Sequence, residues 1–135
     1  MVTRPAKESE MDKIRSMAEK FNLDTESMPA DEFLVAEDEG QITGFVRLIK
    51  HPGCDELCSL GVIKEKQGQG IGKKLVKAII EKAPENLYAA SITPDFFEKL
   101  GFKRVKEVPS CMKKDPAWCE GCDREKCAVM KYEHP

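Results

Sequence analysis

Between residues 67 and 74 the chain reads Gln-Gly-Gln-Gly-Ile-Gly-Lys-Lys, a composition suited to holding an anion. Downstream, Ile71, Leu75, Val76, Ala78 and Ile79 recur at helical spacing, while Lys73, Lys74, Lys77, Glu81 and Lys82 take the other face. This predicts a helix that starts near Gln69 or Gly70. A helix opens with about four N–H groups that lack an intrahelical acceptor and are normally met by a Ser, Thr, Asp or Asn cap. None of those residue types stands between Ile63 and Lys82. Lys73 and Lys74 add positive charge where the helix dipole is already positive. A phosphate would accept the orphan N–H bonds, and Gly68, Gly70 and Gly72 would let the backbone come close to it. The stretch therefore reads as a pyrophosphate cradle, with a plain Gly-rich turn before a surface helix as the alternative. It is not a Walker loop, because Gly72-Lys73 is followed by Lys74 where Ser or Thr would hold magnesium. Nor is it the dinucleotide fingerprint, since its third glycine comes one residue early.

The cysteines offer a second chemistry. Cys111, Cys119, Cys122 and Cys127 form a Cys-x7-Cys-x2-Cys-x4-Cys series. Four thiolates suit tetrahedral zinc, and Cys-x2-Cys is a zinc half-site, but the remaining spacing is irregular. Without metal the same residues could be buried small hydrophobes or a redox-sensitive pair. Cys54 and Cys58 are too few to define a site. No signal-peptide-like apolar core opens the sequence, so thiols or a metal are expected in preference to a disulfide framework.

The elements that must position these residues follow from periodicity and turn residues. Val2 to Arg4 is a short strand, and Ser9 to Phe21 places Met11, Ile14, Met17, Ala18 and Phe21 on one helical face, with Ser9 as cap and Asp12 completing the box. Glu32 to Glu37 and Gln41 to Ile49 form a hairpin about Asp38-Glu39-Gly40. Pro52-Gly53 turns the chain into a strand from Glu56 to Val62, which feeds the cradle. Leu87 to Ala90 is the next strand. A short helix runs from Pro94 or Asp95 to Leu100, with Thr93 as cap and Gly101 as stop, and strands follow at Phe102 to Val108 and Ala128 to Tyr132. The stretch 22–31, broken by Pro29, is a loop or short helix. His51, near a turn, and His134, at the end, read as incidental.

A chain of 135 residues is one domain by length. Its 34% charged and 41% apolar residues give a globular balance, and a formal net charge of −2 argues against general nucleic-acid affinity. No segment approaches the ~20 apolar residues of a membrane span, and a cytoplasmic protein is expected.

The cradle, Gln67-Gly68-Gln69-Gly70-Ile71-Gly72, resembles the Gln/Arg-x-x-Gly-x-Gly/Ala signature of the GNAT superfamily of acyl-CoA-dependent N-acyltransferases. The preceding Glu56-Leu57-Cys58-Ser59-Leu60-Gly61-Val62 is similar to that family's fourth strand, and Asp95-Phe96-Phe97-Glu98-Lys99-Leu100-Gly101-Phe102 to its second recognisable stretch. The resemblance spans nearly the whole chain, taken as one acetyltransferase domain with a cysteine-rich segment at 109–127. It implies an α/β (α+β) fold: a mixed, mostly antiparallel sheet flanked by helices and splayed between the fourth and fifth strands. It also implies acetyl-CoA as cosubstrate. The pantetheine arm would pair with backbone groups of Leu60, Gly61 and Val62, and the diphosphate would lie on Gln67, Gly68, Gln69, Gly70, Ile71, Gly72 and Lys73. Unpaired strand groups are costly when buried empty and favourable once an amide arm bonds them. The Val62 N–H could also polarise the thioester carbonyl.

Glu56 matches a position where many relatives keep a glutamate as general base, an exposed strand-end carboxylate being the plainer reading. The tyrosine that reprotonates the thiolate in many members is replaced by Phe97. Tyr88, Ser59, Cys58 or water would have to take its place, and the sequence does not choose among them. Similarity to N-acetylglutamate-synthase-like amino-acid acetyltransferases, which also lack that tyrosine, implies a small-molecule amine acceptor such as glutamate. Arg47 or Arg4 would then meet its carboxylate; a strand Arg47 opposite Asp or Glu is the alternative. Monomer and homodimer both remain open. Two further classes are an acyl-CoA sensor without turnover and a metal-stabilised interaction domain, in which the cysteines would hold structural zinc.

Overall fold

The computed structural model describes residues 2–20, 29–83, 85–91, 94–105 and 128–132. Seven strands hydrogen-bond in the order β1-β2-β3-β4-β5-β7-β6. They are β1 Val2–Pro5, β2 Phe33–Asp38, β3 Gln41–His51, β4 Cys54–Val62, β5 Leu87–Ser91, β6 Phe102–Val105 and β7 Ala128–Tyr132, with helices α1 Met11–Lys20, α2 Ile71–Lys82 and α3 Pro94–Glu98. The sheet is mostly antiparallel with one parallel pair, β4 and β5, and helices flank it, as the α/β expectation required. Contacts divide the chain into two compact units, Met1–Leu48 with Cys58–Ile79, and Ile49–Leu57 with Ile80–Pro135.

In the first unit, β1 and β2 run antiparallel with Arg4 opposite Val35. The β2–β3 turn has positive φ at both Glu39 (50°) and Gly40 (79°), the signature of a type I′ turn whose twist suits a hairpin. The apolar spacing of α1 buries Met11, Ile14, Met17 and Ala18 in one cluster with Phe33, Val35, Ile42 and Phe45. Each of these side chains except that of Ala18 contributes about 1.5–3 kcal/mol by leaving water.

The predicted cap of α1 is corrected. Ser9 lies inside a 3-10 turn, Glu8–Glu10, that precedes the helix, and it is Glu10 whose Oε1 accepts the Lys7 N–H at 2.8 Å. Glu10 also takes a fork of two bonds from Arg4 at 2.7 and 2.9 Å, while Arg4 Nε donates to Glu37 at 2.7 Å. One guanidinium thus ties β1, the turn before α1, and β2. These bonds from Arg4 lower the Glu10 carboxyl from 4.5 to about 2. Because the folded value is the lower one, the stability it contributes is present above pH 4.5 and is lost as pH falls toward 2. Glu10→Gln should lower stability at neutral pH by about 1–2 kcal/mol, after allowance for solvent screening, and flatten the acid limb of the curve. Urea denaturation at a series of pH values measures both effects.

In the second unit, β4 and β5 are parallel over Asp55↔Leu87, Glu56↔Tyr88 and Leu57↔Ala89. β5 pairs antiparallel with β7, and β7 with β6. Gly101, at φ 99°, stops the chain after α3 as predicted. Phe97 packs edge-on against Phe96 and Phe102, with ring centroids 5.2 Å apart in each case, and Phe102 meets Tyr132 at 5.5 Å. Thr93, Phe21, His134 and the cysteine-rich segment 109–127 lie outside the described residues.

Candidate active site

β4 is irregular where it feeds the loop. It continues past its parallel partners to Val62, and Ser59, in mid-strand, has φ 54°. A non-glycine residue in the left-handed region costs roughly 1–2 kcal/mol, and such strain clusters where a site requires it. Its effect shows in the exposure pattern: Glu56 and Leu57 are buried in succession, Cys58, Ser59 and Leu60 are half-buried, and Gly61 is buried again. The strand therefore leaves simple alternation between Glu56 and Leu60, just before the segment Leu60, Gly61, Val62.

After Val62 the chain is pinned and then opened. Ile63 N–H donates to the Thr43 carbonyl at 2.9 Å, a 3-10 turn covers Lys64–Lys66, and the Gln67 side chain reaches back to donate to the Val62 carbonyl at 3.0 Å. Gly68 and Gly70 have φ 84° and 83°, values that only glycine adopts without strain. A Cβ at either would meet nothing within 4 Å, so conformation, not crowding by the protein, demands glycine there. The first intrahelical bond of α2 runs from Lys74 N–H to the Gly70 carbonyl at 3.1 Å. Gly70 is thus the N-cap and has no side chain to offer. Ile71, Gly72 and Lys73 form the first turn, which holds no acidic residue. Their N–H groups precede the helix's own bonding pattern and carry its positive dipole end. The helix starts at Ile71, one or two residues later than predicted.

Gly44 of β3 supports this region, a role the sequence reading missed. A Cβ there would come within 3.0 Å of the Gly61 carbonyl, 3.1 Å of Leu75 Cδ1 and 3.2 Å of Ile71 Cγ2. Only a bare backbone lets β4 and the first turn of α2 close on β3 at this point. A glycine inside an apolar strand run was the available signal.

A separate cluster surrounds Glu56, which is buried at 3% exposure, so the exposed strand-end reading does not hold. The Nε2 of His51 lies 2.8 Å from Glu56 Oε1. β3 extends to His51 and β4 begins at Cys54, so His51 is the last residue of a strand, next to the turn where it was expected. Tyr88 is the Cα partner of Glu56, with Lys131 Nζ 5.7 Å from its ring centre. Cys58 is half-buried. Phe97 is a core residue at 5% exposure, in keeping with a ring that packs and has no proton to give.

The arginines expected for a substrate carboxylate bond carboxylates of this chain. Arg47, 7% exposed, donates from Nε to Glu32 at 2.8 Å, has Nη2 2.6 Å from the same oxygen and stacks 5.5 Å over the Phe33 ring. Arg4 is held by Glu10 and Glu37. Cys54 is disulfide-bonded, against the expectation of thiols or a metal in preference to disulfides. Cys111, Cys119, Cys122 and Cys127 also lie outside them; among the described residues no group of three or more His, Cys, Asp or Glu is arranged to hold a metal.

Comparison with known proteins bears on the same elements. A family model for the acetyltransferase (GNAT) domain matches residues 29–104, more than half of the chain. Rv2747 from Mycobacterium tuberculosis, solved in complex with CoA, superimposes with a TM-score of 0.78 at 20% identity, covering 98% of each chain. N-acetylglutamate synthase from Neisseria gonorrhoeae, solved with coenzyme A and N-acetyl-glutamate, gives 0.82 at 22% identity; 99% of this chain matches 35% of the synthase, about a third of its length. A GNAT-family acetyltransferase from Staphylococcus aureus gives 0.73 at 17% identity over 99% of both chains. Because that family model matches more than half of the chain, this protein belongs to the GNAT family of N-acetyltransferases.

Proposed function

We propose that the enzyme transfers the acetyl group of acetyl-CoA to the primary amine of a small molecule, with small amino acids such as glutamate as the acceptor class. The observation that carries this reading is the mouth of α2: Gly68 and Gly70 in the left-handed region, a glycine N-cap, and a first turn with no acidic residue. Backbone N–H groups of Gly68 to Lys73 would hold the diphosphate, with Gln67 keeping the loop against Val62. Leu60, Gly61 and Val62 would pair with the pantetheine arm. Acetyl-CoA supplies the acyl group in activated thioester form. The protein's part is to place the acceptor nitrogen against the carbonyl carbon, to take the amine proton on Glu56, and to donate the Val62 N–H to the carbonyl oxygen as negative charge develops. The departing thiol's proton would come from Tyr88, Ser59, Cys58 or water, since Phe97 has none.

The glutamate class is supported by the likeness to the synthase fold, and Arg47 would meet a substrate carboxylate by exchanging its bond to Glu32. The 135 residues would act as one acetyltransferase domain, as monomer or homodimer, with the segment 109–127 in its C-terminal part and structural zinc as one use for its cysteines. A cytoplasmic setting fits this small-molecule chemistry. Among the described residues no helix is long and apolar enough to cross a membrane.

The test is to incubate the protein with acetyl-CoA and a pool of free amino acids and polyamines, follow thiol release, and identify acetylated products by mass spectrometry. Turnover with an acetylated amino acid is expected. Binding without turnover would make the domain an acyl-CoA sensor, and turnover only with other amines would remove the amino-acid class. Gly44→Ala is expected to cost about 1–3 kcal/mol of stability by pushing on the Gly61 carbonyl and the first turn of α2. It should also raise the dissociation constant for CoA, read by titration calorimetry; unchanged affinity would detach Gly44 from the site.

A further inference from the structure

The two-residue turn Pro52-Gly53, with Gly53 at φ 93°, sends β3 directly back as β4, so His51 and Glu56 belong to one hairpin. Their side chains meet at 2.8 Å, and they differ in depth: Glu56 is 3% exposed and His51 17%. A carboxylate buried this far has lost most of the water that would solvate it in any orientation. The donors of the protein then decide which way it points, and a shift of about 1 Å in a catalytic group can cost a hundredfold in rate.

We infer that His51 is a positioning residue for acetyl transfer: its Nε2–H, donated to Glu56 Oε1, holds the carboxylate in the orientation from which it accepts the amine proton. The inference rests on the proposed role of Glu56 as base. An ionised carboxylate can only accept hydrogen bonds, so while Glu56 is ready to act the facing ring nitrogen, Nε2, is the one that donates. When the acceptor nitrogen attacks, its proton passes to the carboxylate, the new C–N bond forms and the C–S bond breaks with its electron pair leaving on the coenzyme A sulfur, which is then protonated and departs as the free thiol, while the His51 bond to Oε1 is kept. His51 thereby acts through Glu56 and exchanges no proton with substrate.

The experiment compares wild type, His51→Leu, His51→Gln, Glu56→Gln and the double variant His51→Leu/Glu56→Gln in the thiol-release assay with acetyl-CoA and the amine pool. His51→Leu is expected to lower kcat about ten- to a hundredfold with KM for acetyl-CoA unchanged. His51→Gln, which places an amide N–H near the Nε2 position, is expected to restore turnover close to wild type. In the Glu56→Gln background the His51→Leu change should cost nothing further, because two residues acting as one unit are not additive. If circular dichroism shows that His51→Leu does not fold, His51→Phe keeps the ring and removes both nitrogens. Wild-type kcat in the apolar variant, equal losses for the Leu and Gln variants, or additive losses in the double variant would each overturn the inference. Glu56→Gln at wild-type turnover would overturn it together with the base assignment, a different result from a silent His51 beside an inactive Glu56→Gln.

Discussion

Glu56→Gln is expected to lower kcat for acetyl transfer about a hundredfold or more, the usual contribution of a positioned general base. KM for acetyl-CoA should stay near that of the wild type. The substitution is nearly isosteric, and the amide oxygen can still accept the bond from His51, so the buried side chain keeps a partner and the fold keeps its stability. What the amide lacks is a site basic enough to take a proton from an amine. Steady-state kinetics with varied acetyl-CoA, beside a urea denaturation curve, separates the two quantities. Unchanged kcat would remove Glu56 from the mechanism, and a large fall in stability would mean that the carboxylate serves the fold.

The second large effect belongs to the loop. Gly70→Val is expected to weaken acetyl-CoA binding by at least about tenfold, or 1.4 kcal/mol. The φ of 83° at Gly70 is closed to a β-branched side chain, so the chain must move just where the first N–H groups of α2 emerge. A matched control exists in Gly40→Val at the β2–β3 turn. Gly40 has φ 79° and equally open surroundings, with nothing within 4 Å of a built Cβ. Both variants should lose about 1–3 kcal/mol of stability from backbone strain. Only the Gly70 variant should lose affinity in a calorimetric titration, and equal affinities would mean that the loop does not hold the ligand.

The local features were legible because their signals are local. The face of α1 and the turn at Glu39-Gly40 follow from spacing and residue type within a few positions. The glycine-capped start of α2 was legible for the same reason: it is defined by missing caps and present glycines on either side of one helix start. What escaped depended on partners distant in the chain or on strand boundaries. Ending β3 at Ile49 and starting β4 at Glu56 left His51 in a turn; β3 runs on to His51 and β4 already begins at Cys54, and the imidazole lies beside the carboxylate. Arg47 was weighed as a ligand, but a buried guanidinium requires a counter-charge, and Glu32 in the 3-10 turn before β2 supplies it. Ser59 has no residue-type signal for positive φ, so the break in β4 could not be read. The crowding at Gly44 likewise appears only when β4 and α2 are folded onto β3.

The central claim is that the backbone amides at the start of α2 receive the diphosphate of coenzyme A. Its most direct test is a titration of the ¹⁵N-labelled protein with coenzyme A, followed amide by amide in two-dimensional NMR spectra. The account predicts saturable shifts that are largest at Gly68, Gly70, Ile71, Gly72 and Lys73. Millimolar coenzyme A that leaves these amides unmoved, or that moves others while these stay fixed, would contradict it.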